Sequence, residues 1–381
     1  MRIKGRTVAV GDVVLVLGFF ACLSLPLAGL VIRLEKPHAL GENRAPAPAP
    51  RRPQTWREVG GLQRKIEAYW NDQFGFRRTL IGLNSLASLA LGVSPLDRVI
   101  LGKSRWLFLD EEVPYRKGPP PPVSEEQLAT WRRELEARRD WLAARGAHYL
   151  FVVAPNKSSI YPEYLPGALT PLPGPTELDR FIAYLQARSD VDVLDLRPAL
   201  WDAKAEQPVY HQDDTHWNST GAYVAYAAIV ERLAARWFPG MTAPPLSAYS
   251  PVAPRRAESG DLARMFALPE RFPHDGFTLR PRDGRRARPA ETRVARPAGQ
   301  IAPVATERPD LNGPRALVFH DSFGRHLVPY LSEHWGRAVY VPRSDFDAAA
   351  VNEEHPDLVI HQVVERFLRL GLVPAALPPR P

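Results

Sequence analysis

Leu317-Val318-Phe319-His320-Asp321-Ser322-Phe323-Gly324 is the stretch that decides the fold class. Its first three residues are apolar and β-prone, as in a strand covered on both faces, and the residues behind them form a turn that displays a serine. The carboxyl ends of such strands are where open α/β sheets put their ligands. A hydroxyl is a poor nucleophile near neutral pH and needs an adjacent base, itself held by a third group. Upstream, Tyr210-His211-Gln212-Asp213-Asp214-Thr215-His216-Trp217 packs two carboxylates and two imidazoles together, and Asn218-Ser219-Thr220-Gly221 then opens an Ala-rich helical run. In an extended segment Asp214 and His216 share one face. In a helical turn Asp213 would face His216 instead. Spacing alone leaves both arrangements open. Taken singly, Ser322 and the Asp pair also fit ordinary helix caps.

Outward from these stretches, strands alternate with helices, which argues for a mostly parallel sheet. Strands are expected at Tyr149 to Ala154, Val191 to Leu196, Ala316 to Phe319, Ala338 to Val341 and Leu358 to Val364. Ser124, with Gln127 three residues on, caps a helix running to about Arg145. Glu177 to Arg188 is helical, the helix after Trp217 runs to about Phe238, and short helices cover Arg325–His334 and Asp347–Asn352. Two helices joined at a glycine are expected between Trp56 and Leu91, then a hairpin over Val99 to Leu109 and a proline spacer over Pro119 to Pro122. Residues 240–312 are Pro- and Arg-rich with weak periodicity and read as an insertion or long loops.

The N-terminus begins Arg2, Lys4, Arg6 and then runs apolar from Val13 to Ile32. As a helix that run rises about 30 Å, enough for a bilayer core, and the basic residues before it would stay cytoplasmic. Residues 1–34 are thus expected to be a transmembrane anchor, with a cleaved signal peptide as the rival, and the remainder to be exported to the periplasm. Residues 35–54, with Ala45-Pro46-Ala47-Pro48-Ala49-Pro50, form a semi-rigid linker. Residues 55–373 form the main domain.

With 381 residues, 45% apolar and 24% charged, the chain has ample material for a core. The formal charge of +7 is spread over loop arginines such as Arg255-Arg256 and Arg280 to Arg296. No basic stretch is interleaved with aromatics, so nucleic acid is not the expected partner. The one cysteine, Cys22, lies in the N-terminal apolar run, which excludes thiol catalysis and cysteine metal clusters from the rest. A metal set of His211, Asp213 or Asp214, His216 and His320 has acceptable ligand types but no helical His-x-x-x-His spacing.

The chain resembles the SGNH-hydrolase-like domain of the alginate O-acetyltransferase proteins AlgJ and AlgX, exported enzymes that acetylate an exopolysaccharide. The resemblance covers roughly residues 60–370. It is carried by Asn71-Asp72-Gln73-Phe74-Gly75-Phe76-Arg77, Gly102 to Leu109, Asn156-Lys157, Tyr161-Pro162-Glu163, Asp214-Thr215-His216-Trp217, Asp321-Ser322-Phe323, and Pro356 to Ile360 leading to Glu365-Arg366. It implies a three-layer α/β fold, circularly permuted, with Ser322 as nucleophile, His216 as general base and Asp214 as the orienting acid. It also implies a polysaccharide acceptor, a membrane-bound acyltransferase as acetyl donor, and no metal or other cofactor. His320 stands where glycine is common in serine motifs of this kind, and would reshape an oxyanion pocket formed by the turn's backbone N–H groups. Asn156, Lys157, Trp217 and Arg366 are the expected substrate or oxyanion contacts. An acetylesterase of the same fold and a non-catalytic exopolysaccharide-binding or assembly protein are the rival functions.

Overall fold

The computed structural model describes residues 2–3, 6–7, 10–32, 46–118, 121–169, 173–254, 259–272, 274, 276–296, 300–371, 375 and 377. The end of the expected anchor (33–34), part of the expected linker (35–45), part of the proline spacer (119–120) and Arg255-Arg256 therefore lie outside the described residues. The chain divides into two compact units, Met1–Val99 with Asp261–Phe272, and Ile100–Gly260 with Pro273–Pro381.

In the first unit the main helices are α1 (Val10–Ile32), α2 (Leu62–Gln73) and α3 (Arg77–Ala90). The membrane-spanning helix expected within residues 1–34 is not found: among the described residues no helix is long and apolar enough to cross a membrane. α1 carries Asp12 in its first turn, a costly residue at membrane depth. α2 and α3 meet at Phe74-Gly75-Phe76, where Phe76 takes the left-handed conformation with φ 60° and ends the first helix direction before Arg77 starts the next.

The second unit is built on a seven-stranded sheet. Its strands are β1 (His148–Ala154), β2 (Asp192–Asp195), β3 (Arg288–Ala290), β4 (Val304–Glu307), β5 (Arg315–His320), β6 (Arg337–Val341) and β7 (Leu358–Val364). They lie side by side in the order β2-β1-β7-β5-β6-β4-β3. The five from β2 to β6 are parallel, β4 adds antiparallel to β6, and β3 adds antiparallel to β4. The sheet is therefore mixed rather than mostly parallel, and the difference comes from residues 240–312, expected to be loops. Pro289 lies opposite Thr306 on the outermost strand, the one place where a residue without an N–H costs the ladder little. A second small pairing, Tyr249–Val252 with Thr278–Pro281, also comes from that region.

Strand periodicity sorts the core into two layers. Leu150, Val152, Ala154, Val318 and Ile360 point to one face; Tyr149, Phe151, Val153, Leu317, Phe319 and Val359 point to the other. α7 (Ser219–Arg236) covers the first face with Ala222, Ala225, Tyr226, Ile229 and Leu233. α4 (Glu125–Ala143) and α5 (Glu177–Arg188) cover the second with Leu128, Trp131, Leu135, Phe181 and Leu185. α6 (Arg197–Lys204) and α8 (Ala348–Glu354) complete the larger helices. Parallel strands buried on both faces explain the unbroken apolar runs in the sequence.

Candidate active site

Ser322 sits on the turn just after β5, and that turn is stapled to β7. Asp321 is buried, and its Oδ1 accepts the Phe323 N–H at 2.9 Å and Gln362 Nε2 at 3.1 Å, while Oδ2 accepts the Val364 N–H at 2.5 Å. Burial pushes the Asp321 carboxyl above its ordinary range, against the pull of these donors. Because the Phe323 N–H is spent on Asp321, that amide is not among the free donors expected of the turn. His320 lies underneath: it is 4% exposed, and its Nδ1 donates to the Asp321 carbonyl oxygen at 2.6 Å. A Cβ at Gly324 would collide with the His320 side chain, so the glycine makes room for the bulky residue below the turn. His320 thus packs under the serine.

The second stretch folds back on itself. Tyr210 and Trp217 form an antiparallel bridge, and the Asn218 N–H donates to the Val209 carbonyl at 3.0 Å. The tip between them is gathered by the ammonium of Lys157, which is fully buried and donates to the carbonyls of Asp214 (2.6 Å), His211 (3.3 Å) and Gln212 (3.3 Å). The two carboxylates part ways here. Asp213, fully buried, accepts from His274 Nδ1 at 2.8 Å and from the Gly260 N–H at 2.6 Å. Asp214 Oδ1 accepts from the His216 N–H at 2.9 Å and from His216 Nδ1 at 2.6 Å. With Nδ1 donating, Nε2 is the free lone pair of the neutral imidazole, and it accepts from Ser322 Oγ at 2.8 Å. Ser322 is exposed, while His216 and Asp214 are partly covered. The arrangement supplies a hydroxyl, a base and a carboxylate that holds the base's tautomer.

The profile of the SGNH hydrolase-like domain of acetyltransferase AlgX matches residues 99–301, more than half of the chain. The chain belongs to that family. The matched region takes in Asp214 and His216 and stops short of Ser322. Among curated relatives, the probable alginate O-acetylase AlgJ of Pseudomonas putida is 30% identical over 174 residues, 45% of this chain and 43% of the relative. That of Pseudomonas aeruginosa is 29% identical over 221 residues, 56% of this chain and 52% of the relative. The chain thus spans about half the length of these relatives. Among solved structures, the O-acetyltransferase domain of Pseudomonas putida AlgJ superposes with a TM-score of 0.50 at 22% identity, over 74% of this chain and 96% of that one. Bacillus cereus PatB1 superposes with a TM-score of 0.52 at 15% identity, over 73% of this chain and 99% of that one. At such identities these likenesses establish the fold, an α/β SGNH-like one.

Within this AlgX-type domain the remaining expected contacts separate. Trp217 is buried, with its ring edge-on to Phe323 at 5.0 Å between centroids, so it packs the serine turn and offers no face to a sugar. Lys157 is committed to the loop carbonyls and to the rings of Phe108 and Trp106, at 5.2 and 5.8 Å. Asn156 is 5% exposed and its Oδ1 has no hydrogen-bond partner; Arg366 lies 5.5 Å over the Phe323 ring. The metal set that the sequence offered as a less favoured alternative is split between three places. His211 and Asp213 gather with His274, whose ring stacks on His211 at 4.4 Å, while His216 turns to Ser322 and His320 lies under the turn. Burial, then the neighbouring His274, lowers His211 to about 4, so it stays neutral near pH 7. Two exposed residues near the site were not anticipated: His326, whose ring stands edge-on to His216 at 5.5 Å, and Trp201, 46% exposed on α6. Their only signal was type and polarity on short helices, where periodicity has too few turns to report a face.

Proposed function

We propose that the chain is an exported serine O-acetyltransferase that acetylates hydroxyls of a secreted polysaccharide through an acyl-serine intermediate. The observation that carries this reading is the row Asp214 Oδ1, His216 and Ser322 Oγ, linked at 2.6 and 2.8 Å on an exposed serine turn. Membership of the AlgX family and the named activity of the AlgJ relatives support the acetyl group and the polysaccharide. In the first half-reaction the Ser322 Oγ–C bond forms as His216 Nε2 takes the hydroxyl proton. The bond from acetyl carbon to its leaving group breaks, and the leaving group collects that proton from His216. In the second, a sugar O–H gives its proton to Nε2 while its oxygen attacks the acyl carbon, and Ser322 Oγ leaves and regains a proton. Asp214 holds the ring and stabilises the imidazolium in both halves.

The N-terminal basic residues followed by the apolar α1 support export to the periplasm, with a membrane acyltransferase passing the acetyl group across. Intact-mass measurement after treatment with p-nitrophenyl acetate and an oligosaccharide tests the reading. Wild type should show acetyl-serine and acetylated sugar, and Ser322→Ala should lose both by at least about a thousandfold. Free acetate without acetylated sugar would make the chain an acetylesterase. Equal behaviour of wild type and variant would leave a fold without catalysis.

A further inference from the structure

A cavity of about 430 Å³ opens at the carboxyl end of the sheet in the second unit, lined by Tyr115, Asn156, Pro162, Pro175, Trp201 and Arg366. It adjoins the serine turn through one side chain, since Arg366 both lines the cavity and lies 5.5 Å over the ring of Phe323, the residue after Ser322. The volume suits one to two sugar rings, and the wall combines apolar surface with a few fixed polar groups, as ligand pockets do. Trp201 is 46% exposed, and its indole N–H donates to the Ser159 carbonyl at 3.2 Å, which orients the ring as a platform. Asn156 Oδ1 in the wall is a buried acceptor without a hydrogen-bond partner, and Arg366 Nη1 makes no hydrogen bond either but is ion-paired with Glu112. Asn156 is 5% exposed, so bulk water does not satisfy its Oδ1.

The charges around the cavity say which sugar groups these atoms suit. Arg197 pairs with Asp195 and Asp179 at 2.7 and 2.8 Å, Arg369 with Glu177 at 2.7 Å, and Arg366 Nη1 stands 3.5 Å from Glu112 Oε1. Each of these guanidinium groups has a carboxylate beside it, and Arg180 joins them in a wall that also carries Glu112, Glu177, Asp179 and Glu365, so the cavity lacks the surplus positive charge that would select an anion. A buried acceptor with no partner is complementary to the O–H of a sugar hydroxyl. We infer that this cavity is the acceptor subsite of the proposed transferase, taking a sugar ring by its face on Trp201 and by a hydroxyl on Asn156 Oδ1, with any carboxylate of the sugar turned away. This rests on the transferase reading, which a separate arm tests.

The experiment is calorimetric titration of the full chain, without acetyl donor, with β-1,4-linked mannotetraose and with its uronate counterpart. Both should bind within about threefold of one another, and the affinities should change little between low and high salt. Trp201→Ala should weaken both at least about tenfold, Trp201→Phe should restore most of the loss, and Asn156→Ala should weaken both about fivefold to tenfold. A better than tenfold preference for the uronate that salt removes would overturn hydroxyl recognition. Unchanged affinity in Trp201→Ala would overturn the site, as would absence of binding to a wild-type chain whose Ser322 still takes a fluorophosphonate probe. Failure of wild-type Ser322 to react, with saccharide binding intact and Trp201-dependent, would sink the transferase chemistry and leave the saccharide site standing.

Discussion

At the scale of single residues, the adjacent carboxylates Asp213 and Asp214 have separate duties. Asp214 faces the imidazole of His216, and Asp213 is sealed against His274 and the Gly260 N–H. Asp214→Asn should therefore slow acyl-serine formation about a thousandfold to ten-thousandfold, by losing the carboxylate that fixes the tautomer, and leave the melting temperature nearly unchanged. Asp213→Asn should do the reverse, removing about 3–5 kcal/mol of stability because a buried charge-assisted cluster loses its anion. Stopped-flow ester cleavage and thermal melts on the same two variants read both effects, and an equal kinetic loss in each would contradict the division. The sequence already displayed the serine, the imidazole and a carboxylate, because strand ends and period-two spacing are local properties. It left Asp213 against Asp214 open by spacing alone, since the groups that claim Asp213 come from residues far along the chain. Lys157 has the same character, since the loop carbonyls that claim its ammonium belong to His211, Gln212 and Asp214, far along the chain.

At the scale of elements, the parts that carried their own signals were legible. Ser124 caps α4 by accepting from the Gln127 N–H at 3.1 Å, and Asn218 caps α7 by accepting from the Gly221 N–H at 2.9 Å. β1 and β7 read as unbroken apolar runs because both their faces are covered. β3 and β4 did not: both are short, β3 is an edge strand reading Arg-Pro-Ala, and the placement of the pair depends on the edge of β6 rather than on any internal pattern. The site depends on two of the local elements. Gly221 lies where a Cβ would collide with the Val209 carbonyl, so the first turn of α7 presses against the base of the His216 loop. Asn218→Ala should cost about 1–2 kcal/mol, losing the cap and the bond its Nδ2 donates to the Pro208 carbonyl at 2.8 Å, and Asn218→Asp should retain the cap and lose that bond. Lys157→Met should cost about 1–3 kcal/mol, since the carbonyls of His211, Gln212 and Asp214 lose their shared buried donor. Urea unfolding measures both. The loop position of Lys157 further predicts that ester cleavage at 25 °C falls in Lys157→Met even where the protein remains fully folded, whereas Asn218→Asp keeps its rate.

At the scale of the whole molecule, buried imidazoles set the response to acid. Burial, then the nearby Arg138, lowers His361 to about 3; its Nε2 donates to the Ser344 carbonyl at 2.8 Å, so the ring is held neutral. Burial also lowers His211 and His334 to about 4 each, with His274 and Arg308 as the respective second causes. An unfolded histidine titrates near 6.5, so between about 6.5 and 4 the unfolded chain binds more protons than the native one. Stability is then fully present above about pH 6.5 and falls as the pH drops through that window. Each such group contributes at most about 1.4 kcal/mol per pH unit. Asp321 and Glu365 act in the opposite sense: burial raises both carboxyls, so the native state takes up their protons first and part of the acid loss is offset. Burial lowers His148, His320 and His326 as well, so the lowered imidazoles outnumber these two raised carboxyls and the net slope should be positive from about pH 4 to 6.5. Thermal melts across that range should show the melting temperature falling with acid, and His361→Gln should flatten the slope by up to one proton's worth, whatever it does to stability at pH 7. A melting temperature that stays level or rises on acidification would show that the carboxyls of the serine turn, and not the imidazoles, dominate the proton balance of the fold.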